Sequence, residues 1–162
     1  MRRADRCVTD IDEQKRILSE CSVCRLGMVD GDRPYVVPLN FGYIWEDALP
    51  VVYVHCAVEG RKLDILARNP NVCFQADCNH LLQGDDTGSD ACTYTYRYGS
   101  IIADGTARVV EDAGERATAL DAIMLHMTGR GGWEYGEGAL ARIAILRIDL
   151  TALSCKENKP KP

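Results

Sequence analysis

Hydrophobic residues recur at two different spacings along this chain, and the spacing changes from segment to segment. In three segments they recur every three or four positions, which is the spacing of one face of a helix. Asp10 can cap the first helix, and Asn69-Pro70 ends the second because a residue before proline avoids helical backbone angles. The three predicted helices span residues 10–20, 59–68 and 111–127.

Six further segments are rich in β-branched and aromatic residues and are bounded by turn-forming residues, which predicts strands. Asp30-Gly31-Asp32 joins the first two as a hairpin, since Asp-Gly tolerates the positive φ of a tight turn. Gly99 or Gly105 predicts a bend or bulge in the fifth segment. The predicted strands span residues 23–29, 34–42, 50–55, 71–77, 92–110 and 141–150.

The order of these elements is α-β-β-β-α-β-β-α-β, so most strands follow one another without a crossover helix. This order favours a mainly β fold with flanking helices, built as an antiparallel barrel, over a doubly wound parallel sheet. A chain of 162 residues that is 46% hydrophobic suits one domain with a real core. We expect that domain over residues 1–155, followed by a polar tail over residues 156–162.

The formal net charge is −5, which argues against nucleic acid or an anionic membrane as the main partner. Any bound anion must then be held by a few local cations. No apolar run has the length of a transmembrane helix, and the first residues lead into no apolar signal core. The eight cysteines are too scattered for a secreted disulfide scaffold. We therefore expect a cytoplasmic protein with reduced thiols.

The segment Gly60-Arg61-Lys62 opens the second helix directly after a strand. First-turn amides have no partner inside a helix, the helix dipole adds positive charge there, and glycine lets a ligand approach the backbone. Two cations at this point predict a phosphate site. The competing interpretation is a solvated helix start in which Glu59 and Asp64 pair with the cations, and position alone does not decide between the two.

His55 ends an apolar strand close to this segment. Such a histidine is more often structural, but near a ligand it could donate or relay a proton at neutral pH. The stretch Val37-Pro38-Leu39-Asn40 is irregular for a strand because proline cannot donate to a ladder. It either lies at a sheet edge or presents its backbone to a ligand.

The cysteines raise the question of a metal site. Cys21 and Cys24 form a CxxC pair that could join Cys73, Cys78 and His80 around zinc, but the second pair lacks the usual spacing. We expect packed thiols and no metal. A cation site at Asp85-Asp86 with Asp90 lacks the calcium-loop spacing, so a solvated loop is expected there. The role of His126, at the end of the third helix, is left open.

Taken together, these motifs resemble the FMN-binding split-barrel superfamily of the pyridoxamine 5′-phosphate oxidases, and most closely its 5-nitroimidazole reductase-like (Nim-type) branch. The resemblance runs in order from residue 2 to residue 156. The matching stretches are residues 24–27, 34–43, 53–55, 59–62, 72–74, 98–101 with Gly105, and 126–129.

The resemblance implies an antiparallel split β-barrel that forms a homodimer, with two FMN molecules bound across the subunit interface. It assigns the phosphate to Arg61 and Lys62 and a catalytic role near the flavin and a small-molecule acceptor to His55. The remaining cofactor contacts that it implies are Val37, Pro38, Leu39, Asn40, Tyr53, Val54, His55, Tyr98 and Ser100.

The resemblance implies an FMN-dependent oxidoreductase, but the chain departs from the vitamin-forming oxidases. The Arg-rich substrate motif after the last strand is missing, and Lys156-Glu157-Asn158-Lys159 stands there instead. Pyridoxamine phosphate is therefore not the expected substrate. Two alternatives stay open: a non-catalytic flavin-binding or redox-sensing module, and the same barrel with deazaflavin or haem.

Overall fold

The computed structural model describes residues 3–84 and 90–159 and shows seven strands and four α-helices. The strands are β1 (Cys24–Asp30), β2 (Arg33–Leu39), β3 (Gly42–Glu46), β4 (Leu49–Ala57), β5 (Asn71–Gln83), β6 (Thr95–Val109) and β7 (Ile143–Asn158). The helices are α1 (Ile11–Ser19), α2 (Arg61–Arg68), α3 (Ala113–Thr128) and α4 (Glu137–Leu140), and short 3-10 turns lie at Ala4–Arg6 and Ala91–Thr93.

All seven strands belong to one antiparallel sheet in the order β2-β1-β5-β6-β7-β4-β3. The sheet wraps around a core, and its edge strands β2 and β3 are not hydrogen-bonded to each other. The fold is thus the expected antiparallel split β-barrel. No helix in the described part of the chain is long and apolar enough to cross a membrane.

The core has two parts that lie on opposite faces of β4. Val52 and Val54 point into the barrel, where they join residues such as Phe74 and residues of α1 and α2. Val51 and Tyr53 point outward and are covered by α3. This alternation follows from the two-residue period of a strand, and it places the next residue, His55, on the outward face.

A second outward face, formed by β2, β1, β5 and β6, carries exposed apolar side chains. The register places Val36, Val29 and Ile102 on this same side of the sheet, and each is about half exposed. We call this surface the outer face. An exposed apolar sheet face of this kind is a common feature of interaction surfaces.

Most of the predicted elements are confirmed. The three helices and six strands are present, Asp10 caps α1 through the amides of Asp12 and Glu13, and the irregularity in β6 falls at Gly105. The predicted hairpin turn is present, with Gly31 at φ 65°.

Three expectations are corrected. The predicted second strand is interrupted at Asn40, so a seventh strand, β3, begins at Gly42 and pairs with β4. The segment β5 continues to Gln83 through a bulge after Cys78. The segment β7 runs to Asn158 and pairs with β6, so the first three residues of the expected polar tail belong to the sheet.

Candidate functional site

The first turn of α2 has the features expected of an anion site. Gly60 precedes it with φ 134°, a backbone conformation that favours glycine, and the space where a Cβ would stand is open. The amides of Leu63 and Asp64 donate to the Gly60 carbonyl, whereas those of Arg61 and Lys62 have no acceptor within the helix. Backbone donors and two cationic side chains therefore occur together at one solvent-reachable point.

Arg61 is paired, but not with the expected residues. Its Nε and Nη2 both lie 2.9 Å from Oδ2 of Asp30, and its guanidinium lies 4.4 Å from the centre of the Tyr35 ring. The expected competing partners, Glu59 and Asp64, form no ion pair with it. Lys62, which is half-buried, forms none with any residue in the described ranges.

Asp30 also binds a second cation, Arg68, which sequence reasoning did not identify. Nη2 of Arg68 lies 2.9 Å from its Oδ1. The two arginines lie 31 and 38 positions from Asp30 in the sequence, so no local pattern could have revealed the cluster. A weak signal did exist, because residues seven positions apart on a helix lie on the same face.

The stretch Val37-Pro38-Leu39-Asn40 lies at the open edge of the sheet, as one of the two interpretations predicted. Within the sheet β2 pairs only with β1, so its other edge is not used by a ladder. Val37 and Leu39 face inward, Pro38 is exposed on the outer face, and Asn40 Nδ2 donates to the Ser22 carbonyl at 3.1 Å.

The β4 residues differ in what they can offer a ligand. The side chain of Val54 is fully buried in the barrel, and Tyr53 is buried under α3, where its hydroxyl accepts a hydrogen bond from Arg147 at 3.4 Å. Burial raises the pKa of the Tyr53 phenol. His55 is exposed near the end of the ladder between β4 and β7, opposite Ile145. Of the three side chains, only that of His55 is accessible to a reactant.

Tyr98 and Ser100 lie apart from the β2 edge within a single chain. Ser100 is on the outer face, three strands away from Pro38, which is about 14 Å at the usual strand spacing. Tyr98 is near the N-terminal segment, where Arg6 lies 5.9 Å from its ring centre. One subunit does not bring these two residues together with Arg61.

Two open clefts lie at the Tyr98 end of the molecule. One of about 990 Å³ lies between the N-terminal segment, the start of β6 and the end of β7. A neighbouring cleft of about 450 Å³ is lined by residues that include Arg97, Tyr98 and His80. Neither cleft is lined by Arg61, Lys62 or His55.

The cysteines do not come together as a zinc site. All eight are free thiols, and the described residues contain no group of three or more potential ligands positioned to share a metal ion. Cys21 and Cys78 are buried and donate to the same carbonyl, that of Ile17, at 3.2 and 3.6 Å. Cys73 is exposed on the face of β5 opposite to the face that carries Cys78. The predicted loop residues Asp85 and Asp86 lie outside the described residues.

His126 has a structural position. Its Nε2 donates to the Cys21 carbonyl at 2.7 Å, and its ring packs against those of Phe41 and Tyr43. The residue is half-buried, and desolvation lowers the pKa of its imidazole despite the hydrogen bond to the carbonyl. The contact joins the C-terminal end of α3 to the segment between α1 and β1.

Several solved structures are similar to this chain. A protein from Bacteroides thetaiotaomicron that is described as a 5-nitroimidazole antibiotic resistance protein is 30% identical, with a TM-score of 0.78 over 93% of this chain and 86% of the other. A flavocytochrome from Azotobacter vinelandii is 19% identical, with a TM-score of 0.77 over 100% and 73%. An FAD-binding protein from Mesorhizobium loti is 24% identical, with a TM-score of 0.63 over 95% and 98%. The last two show a shared fold only.

A comparison with curated proteins found no match. The family model described as pyridoxamine 5′-phosphate oxidase matches residues 10–157, which is nearly the whole described chain. The ordered motifs, the split barrel and this match all agree. The chain belongs to the pyridoxamine 5′-phosphate oxidase family.

Proposed function

We propose that this protein is an FMN-binding flavoprotein that acts as an oxidoreductase on a small-molecule acceptor. The observation that carries the proposal is the first turn of α2, where Arg61 and Lys62 stand beside two amides that lack helical acceptors. In a protein of net charge −5, a cluster of backbone donors and two cations at one point favours an anion as the ligand. The family match supports a flavin as its ligand.

The direction of β2 supports FMN in particular. The strand begins beside Asp30, where Arg61 is bound, and ends beside Cys24 at the irregular stretch. Tyr35, under the Arg61 guanidinium, and Pro38 are separated by about 10 Å along the strand. A ligand with a phosphate at one end, a ribityl chain and a planar ring at the other would lie along this edge.

The residues near the ring end would orient and shield the flavin. At the unpaired edge of β2, Pro38 alternates with the residues that bond β1, so its carbonyl would point toward the polar ring edge. Val37, Leu39 and Asn40 would flank the ring on the β2 side, and Tyr53 and Val54 would flank it on the β4 side. The bound flavin would supply the electron transfer itself. His55, the accessible side chain at the end of β4, would hold or deliver a proton to the acceptor.

We also propose that the protein is a homodimer with the flavin at the subunit interface. The exposed apolar side chains Val29, Val36 and Ile102 on the outer face support this arrangement. A second subunit on the outer face would bring its own Tyr98 and Ser100 toward the β2 edge, which one subunit cannot do. The eight free thiols suit the reducing environment of the cytoplasm.

The acceptor would be a small molecule that a reduced flavin can reduce. One similar protein is described as an antibiotic resistance protein for 5-nitroimidazoles, which makes a nitroaromatic compound a reasonable probe. The electrons would come from a reduced nicotinamide or from another reductase. Steady-state turnover of a reduced nicotinamide with a nitroaromatic acceptor separates the oxidoreductase from a module that only binds flavin.

The binding proposal is tested by the double variant Arg61→Ala/Lys62→Ala. Two charge-assisted contacts contribute roughly 1.5–3 kcal/mol each, so FMN affinity should fall by at least about a hundredfold. Both residues lie at a solvent-reachable helix start, so the fold should be retained. Riboflavin, which lacks the phosphate, is the matched ligand and should lose little affinity. Wild-type FMN affinity in the double variant would mean that the phosphate is held elsewhere.

A further inference from the structure

The carboxylate of Asp30 is held between two guanidinium groups. Arg61 donates from Nε and Nη2 to Oδ2, and Arg68 donates from Nη2 to Oδ1, with all three distances at 2.9 Å. Asp30 thus accepts through both of its oxygen atoms. The arrangement is a small oxyanion site whose occupant is a side chain of the protein.

The chain builds this site from two elements. Asp30 is the last residue of β1, just before the hairpin turn, while Arg61 and Arg68 are the first and last residues of α2. Seven positions amount to about two helical turns, so the two arginines extend from the same face. The stacking of Arg61 on Tyr35 fixes the orientation of the first guanidinium.

The exposures show which groups a ligand could reach. The side chains of Arg61 and Arg68 are 55% and 66% exposed, whereas that of Asp30 is 23% exposed. The carboxylate therefore lies recessed beneath two accessible cations. Each guanidinium has five N–H donors, so contact with Asp30 leaves further donors for a second anion.

A phosphate group uses the same donors as a carboxylate but carries more charge. The planar guanidinium of arginine binds both groups through paired N–H donors, and the phosphate dianion has a third terminal oxygen that can accept a further hydrogen bond. An incoming phosphate and the Asp30 carboxylate would therefore compete for Arg61 and Arg68. Their negative charges would also repel each other at this short range.

We propose that Arg68 is a third phosphate-binding residue and that Asp30 is an internal anion that competes with the ligand phosphate for Arg61 and Arg68. This proposal rests on the proposed function of the α2 site. It makes FMN affinity the result of three attractive cations and one opposing carboxylate. Removal of Asp30 then strengthens binding, which is unusual for a residue in a binding site.

The test measures the dissociation constants of FMN and riboflavin by flavin fluorescence for the full chain and four variants. Arg68→Ala should weaken FMN binding by about tenfold, the usual effect of losing one charge-assisted contact, with little change for riboflavin. Asp30→Asn keeps the shape and removes the charge, so FMN should bind several-fold more tightly, again with little change for riboflavin.

The hairpin turn offers matched controls. Asp32 and Arg33 are 97% and 83% exposed and pair with each other, not with α2. Asp32→Asn and Arg33→Ala make the same charge changes a few residues away, and both should leave FMN affinity within about twofold of wild type, since exposed charges are screened by salt.

Several results would overturn the proposal. FMN affinity in Arg68→Ala equal to that of Arg33→Ala would remove Arg68 from the site, and an equal loss for riboflavin would show a structural effect. Weaker FMN binding by Asp30→Asn would make Asp30 an organiser of the arginines and not a competitor. If the wild-type chain binds no FMN, the proposed function itself fails, which is a different outcome. Far-UV circular dichroism of each variant verifies folding.

Discussion

Arg61 and Lys62 are adjacent in the sequence, yet the structure surrounds them differently. Arg61 is held by Asp30 and Tyr35, whereas Lys62 has no ion pair within the described residues. Their position could be predicted because a helix start is a local signal. The Asp30 and Arg68 contacts could not, since they depend on how β1 and α2 meet in the fold.

His55 is the accessible candidate for proton transfer. His55→Ala should retain FMN but lower turnover by about tenfold or more, because a positioned acid or base typically contributes about a hundredfold or more. Turnover with a reduced nicotinamide and a nitroaromatic acceptor measures the effect. The control is Arg33→Ala, a change in the exposed hairpin turn between β1 and β2, which should turn over at the wild-type rate. An unchanged rate in His55→Ala would show that His55 is a surface residue with no role in turnover.

His126 should make stability depend on pH. Burial lowers its pKa below the ordinary value of 6.5, so the unfolded chain binds more protons than the native chain as pH falls through 6.5. The free energy of unfolding should therefore decrease between about pH 7.5 and pH 5.5. Urea unfolding of His126→Gln should show a shallower decrease over this range. Parallel curves for the two proteins would show that His126 does not contribute.

At the scale of elements, the close approach of β3 and α3 explains a glycine that the sequence pattern does not. A Cβ on Gly42 would lie 2.3 Å from the backbone of Ala122 and Ile123. Glycine is a poor strand former, so its presence suggested a break in the strand and not the start of a new one. The structural requirement comes from packing against a helix that lies eighty positions later in the chain.

Gly42→Ala should lower the free energy of unfolding by about 1–3 kcal/mol, the usual cost of forcing extra volume into a packed contact. Urea unfolding monitored by circular dichroism measures the change. Gly131→Ala is the matched control, because a Cβ at that position would meet nothing within 4 Å. Equal stability of the two variants would mean that α3 can shift without cost.

The strand boundaries show where sequence patterns lose information. Alternation located β1 and the first half of β5 well, because one face of each is apolar and buried. The end of β5 is exposed on both faces, and in the second half of β7 only Leu153 and Cys155 pack against the core, so these ends are strands chiefly because they pair with β6. Such pairing leaves no periodic signal in the sequence.

At the scale of the whole molecule, the outer face connects assembly with cofactor binding. Val36→Glu places a charge on this face beside the β2 edge, and it should convert the proposed dimer to a monomer and weaken FMN binding at the same time. Light scattering after size exclusion measures the mass. The control, Leu125→Glu, changes a similarly exposed residue on α3 and should leave both properties intact. A wild-type monomer with bound FMN would contradict the proposed dimer.

The central claim is that this chain binds FMN through the first turn of α2. The absorption spectrum of the freshly purified protein tests it most directly, before and after FMN is added and unbound ligand is removed. We predict the two visible bands of an oxidised flavin in the wild-type protein and their absence in Arg61→Ala/Lys62→Ala. A colourless wild-type protein that takes up no FMN, or one with a haem or deazaflavin spectrum, would contradict the account.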